Sequence, residues 1–306
     1  MSKLIAILLA ILFIATACSS ASGEKNHKES NMKDYKTESG KNIKVPKNPK
    51  RVAVLNSFYV GDFIELGIKP VAVPDFTKSS SILKPYLNDV KLVGVGNGNV
   101  EGLTNVKPDL IIADAMNKDI NKYKKIAPTV TYTSKNYNHK EILKELGKLT
   151  GKENKADQWI KNWEKQSKKD RKEIKEKIGN STGSVLEPKA KNFSIYKNNS
   201  GRGLEIVHDS FGMPMPTKYE ETVKKDKLGQ VSVNLENISD YTGDFIFLSQ
   251  PSDSNFEFEN TTTWNNIPAV KKGRVIKYEA EDYWYSDPIT LEHLRKELKN
   301  KIMETP

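Results

Sequence analysis

The chain has 306 residues, of which 37% are hydrophobic and 29% charged, and its 49 Lys+Arg against 39 Asp+Glu give a formal net charge of +10. That length allows two modest α/β domains with real cores. The lysines are spread and mostly interleaved with acids, with no nucleic-acid motif among them, which excludes a nucleic-acid binder and leaves a surface suited to anionic lipids or wall polymers, or simply to solubility.

Residues 1–17 carry one charge, Lys3, and an apolar run from Leu4 to Ala15. This is signal-peptide length and short for a membrane span. Small residues, Ala15-Thr16-Ala17, lead into Cys18, the only cysteine. A lone cysteine permits no intramolecular disulfide and no Cys-based metal site. Two readings of the start are a lipoprotein signal cleaved before Cys18 and an ordinary secretory signal with an incidental cysteine; lipid on Cys18 is the one adopted. Residues 18–34 are polar and read as a flexible tether.

Residues 35–151 form a first α/β lobe. Short β-rich runs at 51–55, 71–74, 91–95, 109–113 and 129–133 alternate with helical patterns such as 59–66 and 140–149. Continuous apolar strands separated by helices predict a mostly parallel sheet buried on both faces. Ligands gather at the carboxyl ends of such strands, which places 56–59, 114–116 and 134–137 near a cleft. Phe58 and Tyr59 have a second reading, the inward-facing start of a helix.

Residues 152–178 contain no proline or glycine. Ala156, Trp159, Ile160 and Trp163 fall at i, i+3, i+4 and i+7, and Ile174 and Ile178 extend the stripe. A helix of roughly 40 Å between two α/β halves reads as a stiff connector. A surface helix of one domain is the alternative; the stripe covers too few heptads for a coiled coil.

Residues 179–306 form the second lobe. The Gly-, Ser- and Pro-bearing stretch 179–192 reads as a hinge or loop. Strands are expected at 193–196, 244–248 and 274–278, and helices at 204–211 and 286–303, the last started by Pro288 and capped by Ser286.

Chemistry concentrates at two places. Asn198-Asn-Ser-Gly-Arg-Gly203 is neither a Walker loop nor GxGxxG. It offers Arg202, whose forked N–H donors suit ligand oxygens or, equally, a solvated ion pair. Glu281-Asp-Tyr-Trp-Tyr-Ser-Asp-Pro288 sets three aromatics before a helix. If extended, Tyr283 and Tyr285 face one way and Trp284 the other, so one face lines a cleft, unless all three are core. No catalytic cysteine or plausible carboxylate pair stands out, and His27, His139, His208 and His293 form no metal-binding pair. The chain is therefore expected to have no catalytic and no metal-ligating residues.

With the lipobox-like start, Asn48-Pro-Lys-Arg-Val-Ala-Val54, Lys107-Pro-Asp-Leu-Ile-Ile112, Ile126-Ala-Pro-Thr129, Gly201-Arg-Gly203 and Tyr283-Trp-Tyr-Ser-Asp-Pro288, the chain resembles the iron–siderophore binding lipoproteins of Gram-positive ABC importers. It is most like the ferric hydroxamate uptake proteins of staphylococci. The resemblance implies a class III periplasmic-binding-protein-like fold, two Rossmann-like α/β lobes joined by one long helix. It implies a monomer, no enzymatic activity and no intrinsic cofactor. The ligand would be an Fe(III)-siderophore complex of ferrichrome or desferrioxamine type, held by Arg202, Tyr285, Trp284, Tyr196, Tyr59 and Ser134. The siderophore's own oxygens surround the iron. Glu101 and Glu236, one per lobe, would meet an ABC permease and its ATPase. Cys18 would anchor the protein to lipid on the outer face of the cell membrane.

Where relatives carry pocket aromatics, this chain has Ser200, Ser194 and Ser134, with Tyr196 and Tyr137 nearby. Each missing ring removes about 1–3 kcal/mol of burial, so weaker or narrower binding is expected. Alternatives on the same fold are haem, a corrinoid, or a carboxylate or catecholate siderophore. A surface enzyme or wall-polymer binder stands as a different class.

Overall fold

The computed structural model describes residues 31–94, 100–190, 192–252, 254 and 256–305. The signal sequence, Cys18 and nearly all of the expected tether lie outside these residues. Two α/β lobes are joined by one long helix, as expected.

The first sheet is fully parallel, in the order β5-β4-β3-β6-β7, with β3 Val52–Val54, β4 Ala72–Val73, β5 Lys91–Leu92, β6 Leu110–Asp114 and β7 Thr129–Tyr132. β3 and the first four residues of β6 are buried along their whole length, as the unbroken apolar runs require. Helices α1 (Val60–Glu65), α2 (Val100–Val106) and α3 (His139–Thr150) belong to this lobe. α3 is fixed at both ends. Asn138 and Glu141 form a reciprocal capping box, and Gly151 takes the left-handed conformation just past the last turn.

An antiparallel hairpin, β1 Met32–Lys36 with β2 Asn42–Pro46, precedes this sheet. The expected tether therefore ends before residue 32, and the first lobe starts earlier than residue 35. The hairpin's apolar face is short, Tyr35, Ile43 and Val45 packed on the core, and polar bonds add to it. The Tyr35 and Tyr132 hydroxyls are 2.8 Å apart, and the Thr133 N–H donates to Glu38 at 2.8 Å.

The connecting helix, α4 (Glu153–Ile178), buries Ala156, Trp159, Trp163 and Ile174, the predicted stripe. Trp159 and Trp163 stack at 5.2 Å, with the His139 ring edge-on to both.

The second sheet corrects the reading of 179–192. Its central strand, β8 Gly183–Pro188, lies inside that supposed hinge and is buried throughout. Glycine, serine and proline read as loop punctuation, yet here Gly183 leaves room for a close neighbour. A Cβ on it would come 2.8 Å from Val207. The order is β10-β9-β8-β11-β12, with β9 Asn192–Tyr196, β10 Gln230–Asn234, β11 Phe245–Gln250 and β12 Val275–Glu279. β8, β11 and β12 are parallel, whereas β9 and β10 run antiparallel. The stretch at 205–210 is a π-helical turn. Helix α5 (Thr217–Lys225) also packs in this lobe.

The last helix, α6 (Pro288–Glu304), takes Asp287 rather than Ser286 as its cap; the Asp287 carboxylate accepts from the Thr290 N–H at 3.0 Å. α6 also packs across onto α1 of the first lobe. The contact is close enough that a Cβ on Gly61 would lie 1.7 Å from Asp287 Oδ1. One apolar cluster runs from Val54 and Phe63 through Trp163 to Val207, Leu291 and Leu298, uniting both lobes and the connector.

Asp170 locks α4 to α6. Its carboxylate is fully buried, is paired with Arg295 and accepts from Lys299 at 2.7 Å. Burial pushes this carboxyl up, but the bonds from Lys299, Gln166 and Arg295 outweigh it and hold it below the ordinary aspartate value. Its stabilisation is complete above the unfolded aspartate value, about 4, and is lost as pH falls through the lower folded value. Asp170→Asn, leaving Arg295 and Lys299 short of a charge, should cost about 3–5 kcal/mol. Urea denaturation at neutral pH checks this, and the difference from wild type should shrink in acid.

Candidate functional site

A cleft of about 290 Å³ lies between the lobes. The first lobe contributes Phe58, Tyr59, Asp62, Ser134, Tyr137 and His139; the second contributes Tyr196, Ser200, Arg202, Glu205, Leu228 and Ser286. A second hollow of about 340 Å³ abuts it, lined by Asn56, Phe58, Phe76, Asp114, Ser134 and Tyr285. Of the residues predicted at the carboxyl ends of β3, β6 and β7, Asn56 to Tyr59, Asp114, Ser134, Lys135 and Tyr137 line this pair of hollows, whereas Met116 points to solvent.

Arg202 is positioned by its backbone. It takes a left-handed φ of 59°, between Gly201 and Gly203 at 74° and 83°. A non-glycine residue in that region carries strain, held here by two bonds. The Arg202 N–H donates to the Tyr283 carbonyl at 2.9 Å, and Tyr278 Oη donates to the Arg202 carbonyl at 2.6 Å. The guanidinium lies 4.1 Å above the Tyr196 ring, a cation–π contact. Nε donates to Glu187, and Nη1 to the Ser200 carbonyl at 2.8 Å. Nη2 takes part in neither bond and is the atom available to a ligand. Burial raises the Glu187 carboxyl, but Arg202 and Lys189 outweigh it and hold it below the ordinary glutamate value.

On the opposite wall, Ser134 Oγ receives the Tyr59 hydroxyl at 3.1 Å and Asn56 Nδ2 at 3.3 Å, and donates to Asp114 at 3.1 Å. Burial pushes the Tyr59 phenol above its usual value, so it stays a neutral donor. Tyr59, Ser134, Tyr196 and Arg202 all meet in the cleft, as expected.

The aromatic run differs from its expectation. Residues 280–283 make a helical turn rather than an extended segment, so the alternation fails. Tyr283 turns inward toward Tyr278 and Glu297. Trp284 stacks on Phe76 at 4.9 Å, and Tyr285 meets Phe58 edge-on at 5.4 Å. Both pairs join the two lobes. Tyr285, only 1% exposed, faces the second hollow, and Trp284 borders neither hollow.

Ser194 is buried on β9, with Gln230 Nε2 3.4 Å from its hydroxyl, and Ser200 lines the cleft. Glu101, in the first turn of α2, and Glu236, in the short turn after β10, are both exposed.

Sequence reasoning missed Asp62 and Glu205. Asp62 is 1% exposed, Glu205 is fully buried, and both border the cleft. The signal was there for Asp62. It lies on the same helical stripe as Tyr59, Phe63 and Leu66, where a carboxylate contradicts the core pattern. Among the described residues no group of three or more His, Cys, Asp or Glu side chains could hold a metal ion.

Two α/β lobes on one long helix, with a polar and aromatic cleft between them, define a binding protein, and the chain belongs to the periplasmic binding protein family, whose pattern matches residues 52–281. Within that family it is similar to the iron(3+)-hydroxamate-binding protein FhuD of Bacillus subtilis, 35% identical over 95% of this chain and 94% of the relative. Among solved structures, the FhuD protein from S. pseudintermedius superposes with a TM-score of 0.83 at 34% identity, covering 90% of this chain and 99% of that one. FhuD2 from Staphylococcus aureus with bound ferrioxamine B gives 0.79 at 37% identity, covering 84% and 99%.

Gly201 is the pivot of the Arg202 turn, since a Cβ there would lie 2.0 Å from the Trp284 carbonyl oxygen. Gly201→Ala, strained at φ 74° as well, should cost about 1–3 kcal/mol. Calorimetric unfolding should register the loss.

Proposed function

We propose that this protein captures Fe(III)-hydroxamate siderophores and delivers them to an ABC importer, held on the outer face of a Gram-positive cell membrane by lipid on Cys18. The observation that carries the ligand class is the charge of the cleft lining. Its one guanidinium is already bonded to Glu187, Lys135 is exposed, and buried Asp62 and Glu205 face the space. Citrate- or catecholate-type complexes carry net negative charge and need several converging cations, which this lining lacks. A trihydroxamate complex, neutral at its iron core, needs aromatic surface and a donor or two. Tyr59, Tyr196 and Phe58 supply the surface, and Arg202 Nη2 supplies the donor. The similarity to a hydroxamate-binding relative and to a solved relative holding ferrioxamine B supports the same reading.

The iron is cargo, enclosed by the siderophore's oxygens, so the protein needs neither a metal site nor a cofactor of its own. It acts as a monomeric receptor and not as an enzyme. A haem would require an axial ligand. His139, which borders the cleft, is 5% exposed and edge-on to Trp159 and Trp163. Burial pushes its imidazole down to about 4, so it is neutral near pH 7. A Soret band on titration with haem would sink the hydroxamate reading in favour of haem. Glu101 and Glu236 are exposed carboxylates, one on each lobe. They suit simultaneous contact with two permease subunits.

Saturable quenching of intrinsic fluorescence by ferric desferrioxamine B or ferrichrome is the expected result, and its absence with both would end the proposal. Arg202→Ala should weaken binding by about tenfold or more, the worth of a charged hydrogen bond. Glu101→Ala combined with Glu236→Ala should leave that titration unchanged and slow radiolabelled-iron uptake by whole cells. An unaltered uptake rate would remove the permease assignment.

A further inference from the structure

The Asp62 carboxylate has both oxygens buried and neither hydrogen-bonded, and Glu205 Oε2 is in the same condition. Buried polar groups are nearly always satisfied, and an exception asks for a reason. Both residues border the cleft, one from each lobe. They are brought together by the dipeptide Ser286-Asp287. Ser286 Oγ donates to Glu205 Oε1 at 2.7 Å, as does the Gly201 N–H at 2.9 Å. Gly61, next to Asp62, is pressed against the Asp287 carboxylate. Asp62, whose environment carries the Asp287 charge, and Glu205, bonded to Ser286, are thus linked through two adjacent residues, with Asp287 as the third carboxyl. Among the described residues none of the three has an ion-pair partner. Arg202 and Lys189 are committed to Glu187.

We propose that Asp62 and Glu205 form a subsite for a protonated amine, so that the cleft prefers ferric hydroxamate complexes carrying an ammonium group. An ammonium brings three donors and no acceptor, which matches three oxygens in need of donors. A flexible alkyl tail can deliver it to the floor while the hydroxamate core stays against Tyr196 and Arg202. The groups facing Asp62 are the carboxyls of Asp287 and Glu65 and the Tyr59 phenol; Asp209 faces Glu205. In the empty cleft burial, and then Asp287, push Asp62 well above the ordinary aspartate value, and burial raises Glu205. An arriving cation offsets the repulsion and favours the ionised carboxylates, which a neutral ligand cannot do.

The inference rests on the hydroxamate reading, and its test separates the two. Ferric desferrioxamine B ends in a primary amine. Its N-acetyl derivative has the same iron-binding core without the charge. Dissociation constants of both, and of ferrichrome, are measured by fluorescence quenching at neutral pH on wild type, Asp62→Asn and Glu205→Gln. Wild type should prefer the amine over its acetylated form by about tenfold or more, the worth of a charge-assisted bond. Each substitution should cut that ratio several-fold. If Asp62→Asn fails to fold, as judged by circular dichroism, Glu205→Gln carries the test. Equal affinity for the two derivatives in wild type would overturn the amine subsite and leave the hydroxamate reading intact. So would a ratio untouched by the substitutions. Failure of all three ligands to bind would overturn both.

Discussion

The structure depends on the connecting helix being fastened to both lobes at once. A single helix between two domains is ordinarily a hinge, because nothing opposes bending at its ends. Here α4 buries Trp159 and Trp163 against α3 of the first lobe, while Asp170 grips Arg295 and Lys299 on α6 of the second. α6 in turn reaches back onto α1. The aromatic pairs Phe76–Trp284 and Phe58–Tyr285, and the bond from Ser81 Oγ to Asp282 at 2.7 Å, close the far side. Opening the lobes widely would expose apolar surface and strip a buried carboxylate of its partners, each a cost of several kcal/mol. The cleft is therefore largely formed before a ligand arrives, which lowers the ordering cost of binding.

The sequence told most about what hydrophobic burial decides. The five strands of the first sheet, α3 and the whole connector were legible, because a doubly covered strand and a one-faced helix leave unmistakable spacing. What polarity and glycine decide was not legible. β8 hid behind Gly183, Ser184 and Pro188, residues that usually end elements but here sit in the middle of a buried sheet. The β1–β2 hairpin hid because its apolar positions are few, Tyr35, Ile43 and Val45, and lie among charged and polar residues.

At the site, Tyr59 and Ser134 lie at strand ends and Arg202 in a glycine-flanked turn, so the cleft position of all three was readable in the sequence, while Tyr196 came from the resemblance; all four line the cleft. The aromatic run was read with the wrong local geometry. Its period-two alternation assumed a strand, whereas the carbonyl of Tyr283 is needed by Arg202 and the backbone turns helically to present it. Asp62 and Glu205 went unseen for a different reason. A carboxylate within the apolar stripe of Tyr59, Phe63 and Leu66 was a readable signal for Asp62, but only the fold reveals that it and Glu205, from a distant segment, border the same cleft.

The backbone around Arg202 has an evolutionary consequence. Three consecutive residues with positive φ, tied to Tyr278 and Tyr283, tolerate almost no substitution, so this loop resists mutational drift. Changes of ligand range are then easiest at the periphery, through exposed side chains such as Leu228 and Lys135. The guanidinium becomes a fixed reference point, and the exposed rim the adjustable part around it.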